Sequence, residues 1–148
     1  MAISVVSVNI STEKGTLKTP VSEIIITEKG ILGDAHAGEW HRQISLLAKE
    51  SIEKWRTRAN RKVNFGEFAE NITTEGIVLY KNTPGDRLHI GDVVLEITQI
   101  GKKCHAKGCA IFNEVGSCVM PKEGIFTKVI RTGCITAGDE IKLVKSEK

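Results

Sequence analysis

Several features that mark specialised classes of protein are scarce or absent in this sequence. Its 148 residues include 4 cysteines and 3 prolines, and aromatic residues make up 5% of the chain. So few cysteines do not form a disulfide scaffold, and aromatic residues this scattered do not form a platform on which nucleic-acid bases stack. The chain also lacks the basic start and apolar segment of a signal peptide, and no apolar run is long enough to span a bilayer.

These absences indicate a cytoplasmic protein with no membrane partner, in which cysteines are normally kept reduced. The formal net charge is +3, and the basic residues do not gather in the stripe that a dedicated nucleic-acid-binding protein shows. We therefore expect no nucleic-acid partner and a preference for a small anionic ligand. The length and the hydrophobic fraction of 41% suit a single domain over residues 1–148.

Short apolar runs separated by glycine turns predict a mostly-β protein. We predict strands over residues 3–10, 23–27, 42–47, 71–79, 87–100, 125–131 and 140–144. Between residues 48 and 60, Ile52, Trp55 and Ala59 recur at helical spacing and predict one amphipathic helix. Residues 108–115 are compatible with a second, shorter helix. Many short strands with so little helix favour a closed or partly open β-barrel over a parallel α/β sheet.

Residues 101–118 contain three of the four cysteines, which allows several kinds of site. A structural zinc site pairs its ligands two to four residues apart, twice over. Here Cys104 and Cys109 are five residues apart, and Cys118 has no second cysteine close by. Zinc is therefore a weak alternative. A redox pair of the thioredoxin type is excluded because no C-x-x-C motif occurs.

A reactive thiol is the interpretation that the residues around Cys104 favour. Two lysines directly precede this cysteine and His105 follows it. Positive charge nearby favours the thiolate, which is the nucleophilic and metal-binding form of cysteine. Free cysteines are more often small buried hydrophobic residues, and we expect that role for Cys118 and Cys134.

Other polar residues along the chain are candidates for ligand contact. A loop with glycines at both ends holds Asp34 and His36, and glycines allow backbone N–H groups to approach an anion. A plain structural turn explains this loop equally well. Arg42 is a candidate for an anion contact because its guanidinium is a planar fork of donors. Asn71 and Lys18 each have a structural or solvated role as the alternative.

Several segments of the chain also occur in an order that is specific to one family. They are residues 18–21, 30–38, 42–47, 65–67, 70–76, 85–91, 97–104, 124–129 and 138–139. In this order they resemble the MOSC domain, the module named after the C-terminal part of molybdenum-cofactor sulfurases. The chain is similar to the small stand-alone members and to the MOSC halves joined to molybdopterin-biosynthesis domains. The resemblance implies a β-barrel related to the barrel domain of pyruvate kinase, and the periodicity independently favours a barrel.

The resemblance also implies a function for Cys104. In the family, the equivalent cysteine carries sulfur as a persulfide or binds the molybdenum of the cofactor directly. His105 joins Cys104 as a catalytic candidate. The candidates for contact with the molybdenum cofactor, through its phosphate, its rings or its charge, are Lys18, His36, Arg42, Asn71, Lys102 and Lys103. The chain shows no lysine site for pyridoxal phosphate, which belongs to the desulfurase domain of larger relatives.

The implied partners are a cysteine desulfurase or other sulfur donor, and a molybdoenzyme or cofactor-biosynthesis protein that receives the product. Two alternatives remain within the resemblance: a cofactor-dependent reductase with Cys104 as a metal ligand, and a carrier of the cofactor or another small anion without turnover. The sequence departs from the family at Lys103, where many members have proline. It also adds Cys109, which is placed to act as a resolving cysteine by forming a transient disulfide.

Overall fold

The structure is a computed structural model, and it describes residues 3–13, 17–59, 62–101 and 123–146. Within these ranges the chain forms eleven strands, one α-helix and one 3-10 helix. The helix α1 spans Lys49–Ala59, and the 3-10 helix spans Leu79–Lys81. The strands are β1 Ile3–Ile10, β2 Thr19–Val21, β3 Glu23–Thr27, β4 Gly30–Ile31, β5 Ile44–Ala48, β6 Ile72–Glu75, β7 Arg87–Ile90, β8 Val93–Ile100, β9 Ile125–Arg131, β10 Gly133–Thr136 and β11 Glu140–Val144.

Seven of these strands close into a β-barrel. The order of neighbours is β11, β7, β8, β9, β5, β6 and β1, and β1 pairs back with β11 through Ile3 and Ile141. The pairing of β5 with β6 is parallel, and the other pairings in the ring are antiparallel. Closure removes the free edges that an open sheet would expose. The predicted mostly-β barrel is therefore confirmed.

Two smaller elements complete the barrel. The strand β2 adds to the second half of β1, where Val8 lies opposite Val21. A separate three-stranded sheet runs in the order β10, β3, β4. Its buried side chains Ile24, Ile26 and Ile135 join the hydrophobic core inside the barrel. The small sheet thereby extends the interior core.

Hydrophobic residues pack on both sides of the barrel wall. Inside, Leu95 of β8 is fully buried, as its alternation in the strand predicts. Outside, the helix α1 packs against the wall through Ile52 and Trp55, which form a second cluster with Phe68 and Phe126. The rings of Trp55 and Phe68 meet edge to face, with their centroids 5.2 Å apart. This outer layer covers the side of the wall on which α1 lies.

Four predicted strands agree with the structure at both ends, namely residues 3–10, 23–27, 125–131 and 140–144. The predicted strand 87–100 is a hairpin, because Gly91 turns the chain with φ 59° between β7 and β8. The predicted strand 71–79 ends at Glu75, because Gly76 has φ 89° and leads into the 3-10 helix. The helix suggested over residues 108–115 lies outside the described residues.

Cys134 corrects one expectation. We expected a buried cysteine, but its side chain is exposed and makes no disulfide. The reason is the alternation of β10, in which Ile135 takes the buried position and Cys134 the opposite face. Among the described helices, none combines the length and the apolar character needed to cross a membrane.

Gly66 holds two segments of the chain in close contact. Its carbonyl accepts a hydrogen bond from the Lys18 backbone N–H at 2.8 Å. Its φ is 91°, and a Cβ at this position would overlap the Lys18 carbonyl oxygen. Only glycine satisfies both the positive φ and the close approach. The position of Lys18 therefore depends on the absence of a side chain at residue 66.

We expect Gly66→Ala to destabilise the protein by about 3 kcal/mol or more, because backbone strain adds to a steric overlap that backbone atoms must move to relieve. Gly91→Ala is the matched control. Gly91 also has a positive φ, but a Cβ added there would meet no atom within 4 Å, so this substitution should cost about 1 kcal/mol. Urea unfolding of both variants measures the difference, and equal losses would contradict the steric account.

Glu70 is a fully buried carboxyl group next to this contact. Its Oε2 accepts hydrogen bonds from the Gly66 N–H at 2.9 Å and the Thr73 hydroxyl at 2.8 Å. Its Oε1 has no hydrogen-bond partner among the described residues. Burial raises the pKa of the Glu70 carboxyl, and the hydrogen bonds that it accepts only partly offset this effect. The folded protein therefore favours the protonated acid more than the unfolded chain does.

A raised pKa in the folded state means that Glu70 stabilises the fold fully below its unfolded pKa, about 4.3, and loses that contribution as the pH rises through the folded pKa. We expect the stability of Glu70→Gln relative to the wild type to increase as the pH rises from about 4.5 to 8, because only the wild type loses the contribution of Glu70. Urea unfolding of both proteins at several pH values measures the difference between their free energies of unfolding. The contributions of the other titrating groups are the same in both proteins and cancel in this difference. A gap that is constant with pH would show that Glu70 has no raised pKa.

Candidate functional site

The loop that joins β4 to β5 carries most of the polar residues of the candidate site. Gln43 fixes this loop at its end. The Gln43 side-chain amide donates to the backbone carbonyls of Glu28 at 3.1 Å and Gly38 at 2.7 Å. Its Oε1 accepts from the Val129 N–H of β9 at 2.8 Å. The strand β5 therefore begins at Ile44, two residues after the predicted start, because the Gln43 side chain is hydrogen-bonded within the loop region.

A buried ion pair lies at the base of the loop. Lys18 Nζ is 2.8 Å from Asp34 Oδ1, and both side chains are 0% exposed. Burial raises the pKa of Asp34, but the nearby His36 side chain, the Lys18 ammonium with its charge, and the His36 backbone N–H together outweigh this, so the pKa lies well below its usual range. Asp34 also accepts from the Ser11 N–H at 3.1 Å and the His36 N–H at 3.0 Å. The carboxylate thus holds three parts of the chain together.

An aromatic and cationic group lies further along the same loop. The rings of His36 and Trp40 are nearly parallel, at 5°, with centroids 6.5 Å apart. Trp40 Nε1 donates to the His36 carbonyl at 2.8 Å. The Arg42 guanidinium carbon is 4.7 Å from the Trp40 ring centroid and 5.5 Å from that of Phe126. Such cation–π contacts hold a guanidinium in place without neutralising its charge.

Arg42 Nε is buried and has no hydrogen-bond partner among the described residues. A buried donor without an acceptor costs about 1 to 3 kcal/mol. An anionic ligand would remove this cost, since guanidinium groups bind carboxylate and phosphate oxygens with directed hydrogen bonds. The position of Arg42 is therefore suited to an anion.

The loop lies against the end of β8. The Thr98 hydroxyl donates to the His41 carbonyl, and His41 Nε2 is 2.9 Å from Gln99 Oε1. Beyond β8, the Gly101 N–H donates to the Gly124 carbonyl at 2.7 Å. Gly101 and Gly124 are therefore held next to each other on either side of the residues that the structure does not describe.

The structure brings three of the predicted site residues together. Lys18, His36 and Arg42 lie in or against the loop, and Lys18 Nζ is 3.1 Å from His36 Nδ1. Lys18 is enclosed in the ion pair with Asp34 and has no exposed side-chain surface. Its contact with a cofactor phosphate stays a prediction.

Asn71 lies in the barrel wall. It is fully buried, its Oδ1 accepts from the Ser45 N–H at 3.0 Å, and its Nδ2 donates to the Asn9 carbonyl at 3.2 Å. These bonds tie β5 to β1, and a cofactor contact of Asn71 stays a prediction. The remaining predicted residues lie outside the described residues; they are Lys102, Lys103, Cys104, His105, Cys109 and Cys118.

Trp40, Ser11 and Gln43 were not predicted to belong to the site. Trp40 carried a usable signal, because it is one of only two tryptophans and lies between His36 and Arg42 in the sequence. Ser11 and Gln43 carried none, since their roles depend on contacts with distant parts of the chain. The pairing of Asp34 with Lys18, 16 residues apart, was likewise not apparent.

Other regions offer less to a ligand. In the part of the chain that the structure describes, no three His, Cys, Asp or Glu side chains are grouped to hold a metal ion. A mostly apolar pocket of about 300 Å³ lies between α1 and the 3-10 helix. Its Glu123 is already bound to Ser51 at 2.6 Å and to Lys54 at 2.9 Å. The loop with Arg42 is therefore the better candidate site.

The family model of the MOSC domain matches residues 33–142, which include this loop and most of the barrel. The chain belongs to the MOSC domain family. This family is associated with molybdenum-cofactor sulfurase-like proteins. No curated protein matches the chain.

Solved structures with the same fold include three bacterial proteins. YuaD from Bacillus subtilis has a TM-score of 0.80 at 18% identity, and the match covers 99% of this chain and 98% of YuaD. YiiM from Geobacillus stearothermophilus has a TM-score of 0.72 at 21% identity, covering 97% of this chain and 75% of YiiM. YiiM from Escherichia coli also has a TM-score of 0.72 at 21% identity, covering 98% and 70%. These similarities show that the chain shares its fold with these three proteins.

We expect Asp34→Asn to destabilise the protein by about 3 to 5 kcal/mol, because it leaves the Lys18 ammonium buried without a counter-charge. The control is Glu53→Gln, which breaks a surface pair with Lys49 at 3.7 Å whose side chains are 35% and 51% exposed. It should cost less than about 1 kcal/mol. The free energies of unfolding in urea compare the two, and similar losses would argue against a buried charge.

Proposed function

We propose that this MOSC protein handles sulfur for the molybdenum cofactor through Cys104, which holds it as a persulfide and passes it to molybdenum. The observation that carries the proposal is the Arg42 side chain. Its guanidinium is held over Trp40 and Phe126, and its buried Nε lacks a partner among the described residues. An anion-binding group therefore lies beside the point where the segment containing Cys104 begins.

The distance along the chain supports the link between Arg42 and Cys104. Cys104 is the third residue after Gly101, and three peptide units span at most about 11 Å. Gly101 is hydrogen-bonded to Gly124, and Phe126, two residues further on, contacts the Arg42 guanidinium. The chain between Gly101 and Cys104 is therefore short enough for the thiol to act together with the loop that carries Arg42.

The side chains of the loop fit an anionic cofactor. Arg42 supplies a cationic donor, and the partly exposed His36 ring supplies a second polar group. Arginine and lysine bind phosphate through charge-assisted hydrogen bonds, so Arg42 and His36 would hold the cofactor at its phosphate. Lys102 and Lys103 are further candidates on the segment with Cys104. The cofactor, when bound, supplies the molybdenum that takes the sulfur.

The sulfur chemistry of this chain needs a thiolate and a resolving thiol. The Cys104 thiolate attacks the outer sulfur of a persulfide on a cysteine desulfurase, a new S–S bond forms, and the desulfurase cysteine leaves as a thiolate. The neighbouring lysines and His105 favour the anionic forms. When the sulfur is delivered to its acceptor, Cys109 attacks the inner sulfur, which releases sulfide and leaves a Cys104–Cys109 disulfide. The two electrons gained by the sulfur come from the two thiols, and a cellular dithiol restores them.

We expect intact-protein mass spectrometry to show a one-sulfur adduct after incubation with a cysteine desulfurase and cysteine. The adduct should disappear with reductant and should be absent from Cys104→Ser. Cys134→Ser is the matched control, because Cys134 is an exposed free thiol on the small sheet. It should load sulfur like the wild type, and far-UV circular dichroism checks that both variants fold.

Retained loading on Cys104→Ser would overturn the assignment. A wild type that takes no sulfur but binds the molybdenum cofactor would instead support the second candidate, a cofactor-binding protein with no sulfur transfer. Arg42 Nε, for which the described part of the chain offers no hydrogen-bond partner, favours that candidate independently of Cys104. Loss of cofactor binding in Arg42→Gln would then identify the loop as its site.

A further inference from the structure

The polar group nearest to the His36 ring is the Lys18 ammonium, and the Asp34 carboxylate faces the same ring nitrogen from further away. Lys18 Nζ lies 3.1 Å from His36 Nδ1, whereas Asp34 Oδ2 is 3.7 Å away from the same nitrogen. The Asp34 carboxylate is engaged elsewhere, with Lys18 Nζ, the Ser11 N–H and the His36 backbone N–H. The group that faces Nδ1 at hydrogen-bonding distance is therefore the Lys18 ammonium.

The chemistry of the ammonium group restricts the role that His36 Nδ1 can take in this contact. A lysine ammonium has three N–H donors and no acceptor. Lys18 remains charged because its counter-ion Asp34 is 2.8 Å away in a fully enclosed pair. Its donors reach Asp34 Oδ1, Ser11 Oγ at 3.2 Å and His36 Nδ1. Nδ1 must accept, and a neutral imidazole that accepts at Nδ1 carries its proton on Nε2.

We propose that His36 is a fixed hydrogen-bond donor, through Nε2–H, to an anionic oxygen of a bound molecule. The ring side chain is 25% exposed, so it remains accessible to a ligand. Because Nε2 carries the proton, it has no lone pair to accept a substrate proton or bind a metal. The inference rests on the proposed function only because that function places the ligand at this loop. The tautomer is argued from the contact between Lys18 and His36 alone.

The second donor of the loop defines the ligand class. The His36 ring stacks beside Trp40, and the Arg42 guanidinium carbon lies 4.7 Å from the Trp40 ring centroid. A neutral donor and a cationic donor thus share one aromatic side chain. A phosphate group suits this pair because its several oxygens accept hydrogen bonds from more than one donor. In this role Lys18 is a positioning residue for His36.

The tautomer is tested by ¹⁵N NMR of the histidine rings in the full chain at neutral pH. We expect His36 to show a protonated Nε2 and an unprotonated Nδ1. In Lys18→Met the Nδ1–H form should appear, because the donor that excludes it is gone, while His89 on β7 should be unchanged. A wild-type His36 protonated at Nδ1 would overturn the proposal, and this result does not require Lys18→Met to fold.

The donor role is tested by titrating the protein with inorganic phosphate. We expect His36→Phe to bind phosphate roughly tenfold or more weakly, since a hydrogen bond to a charged group is lost. His36→Gln should retain most of the affinity, because its amide can still donate from a similar position. His89→Gln serves as the control. Equal affinities for wild type and His36→Phe, or no phosphate binding by the wild type, would overturn the proposal.

A third arm separates this inference from the proposed function. Cys104→Ser should bind phosphate like the wild type, because Nε2–H donation does not involve the thiol. Failure of sulfur loading with intact phosphate binding would remove the proposed function and retain the donor role of His36. Phosphate that is displaced by the molybdenum cofactor would identify the cofactor phosphate as the anion, and phosphate that stays bound would identify a free anion. Both of these results support His36 as the donor.

Discussion

The loop of this MOSC domain depends on the buried pair of Lys18 and Asp34. Two charges that are 0% exposed are stable in a protein interior only when they are paired and hydrogen-bonded. Asp34 meets this condition by accepting from Lys18, from the Ser11 N–H and from the His36 N–H. The same bonds join the chain after β1, the chain before β2 and the loop after β4. The pair therefore anchors the loop that carries His36 and Arg42.

The closed barrel makes this arrangement possible. Strands that close into a ring hold their ends at fixed positions, and polar side chains then connect the outer segments to the ring. Gln43 ties the loop to β9 through the Val129 N–H, and Asn71 ties β5 to β1 through Ser45 and Asn9. Gly66 lets the Lys18 backbone approach closely. Side-chain hydrogen bonds and close backbone contacts are thus found where the outer segments meet the barrel wall.

The sequence predicted the features that depend on local alternation. The strands β1, β3, β9 and β11 were predicted with their observed ends, because each is a short apolar run bounded by turn residues, and β3 and β11 also alternate buried and less buried positions. The start of β5 was missed because Gln43 is fixed by Val129, 86 residues away. The family resemblance made Lys18 a phosphate candidate, which stays a prediction, and its counter-ion Asp34 cannot be recognised from spacing alone. A lone basic residue in a sequence therefore gives no reliable sign of whether its charge is already neutralised in the fold.

The proposed tautomer of His36 makes this residue a hydrogen-bond donor to a ligand and not a general base. A histidine beside a reactive cysteine is commonly the base that activates it, and such a base needs an unprotonated nitrogen facing the thiol. Here Lys18 Nζ lies 3.1 Å from Nδ1, and in the tautomer that we propose the proton is on Nε2. The loop can therefore hold an anion but cannot accept its proton. In the proposed function the thiolate of Cys104 would then depend on its own basic neighbours, Lys102, Lys103 and His105, and the cation of Arg42 would hold the cofactor.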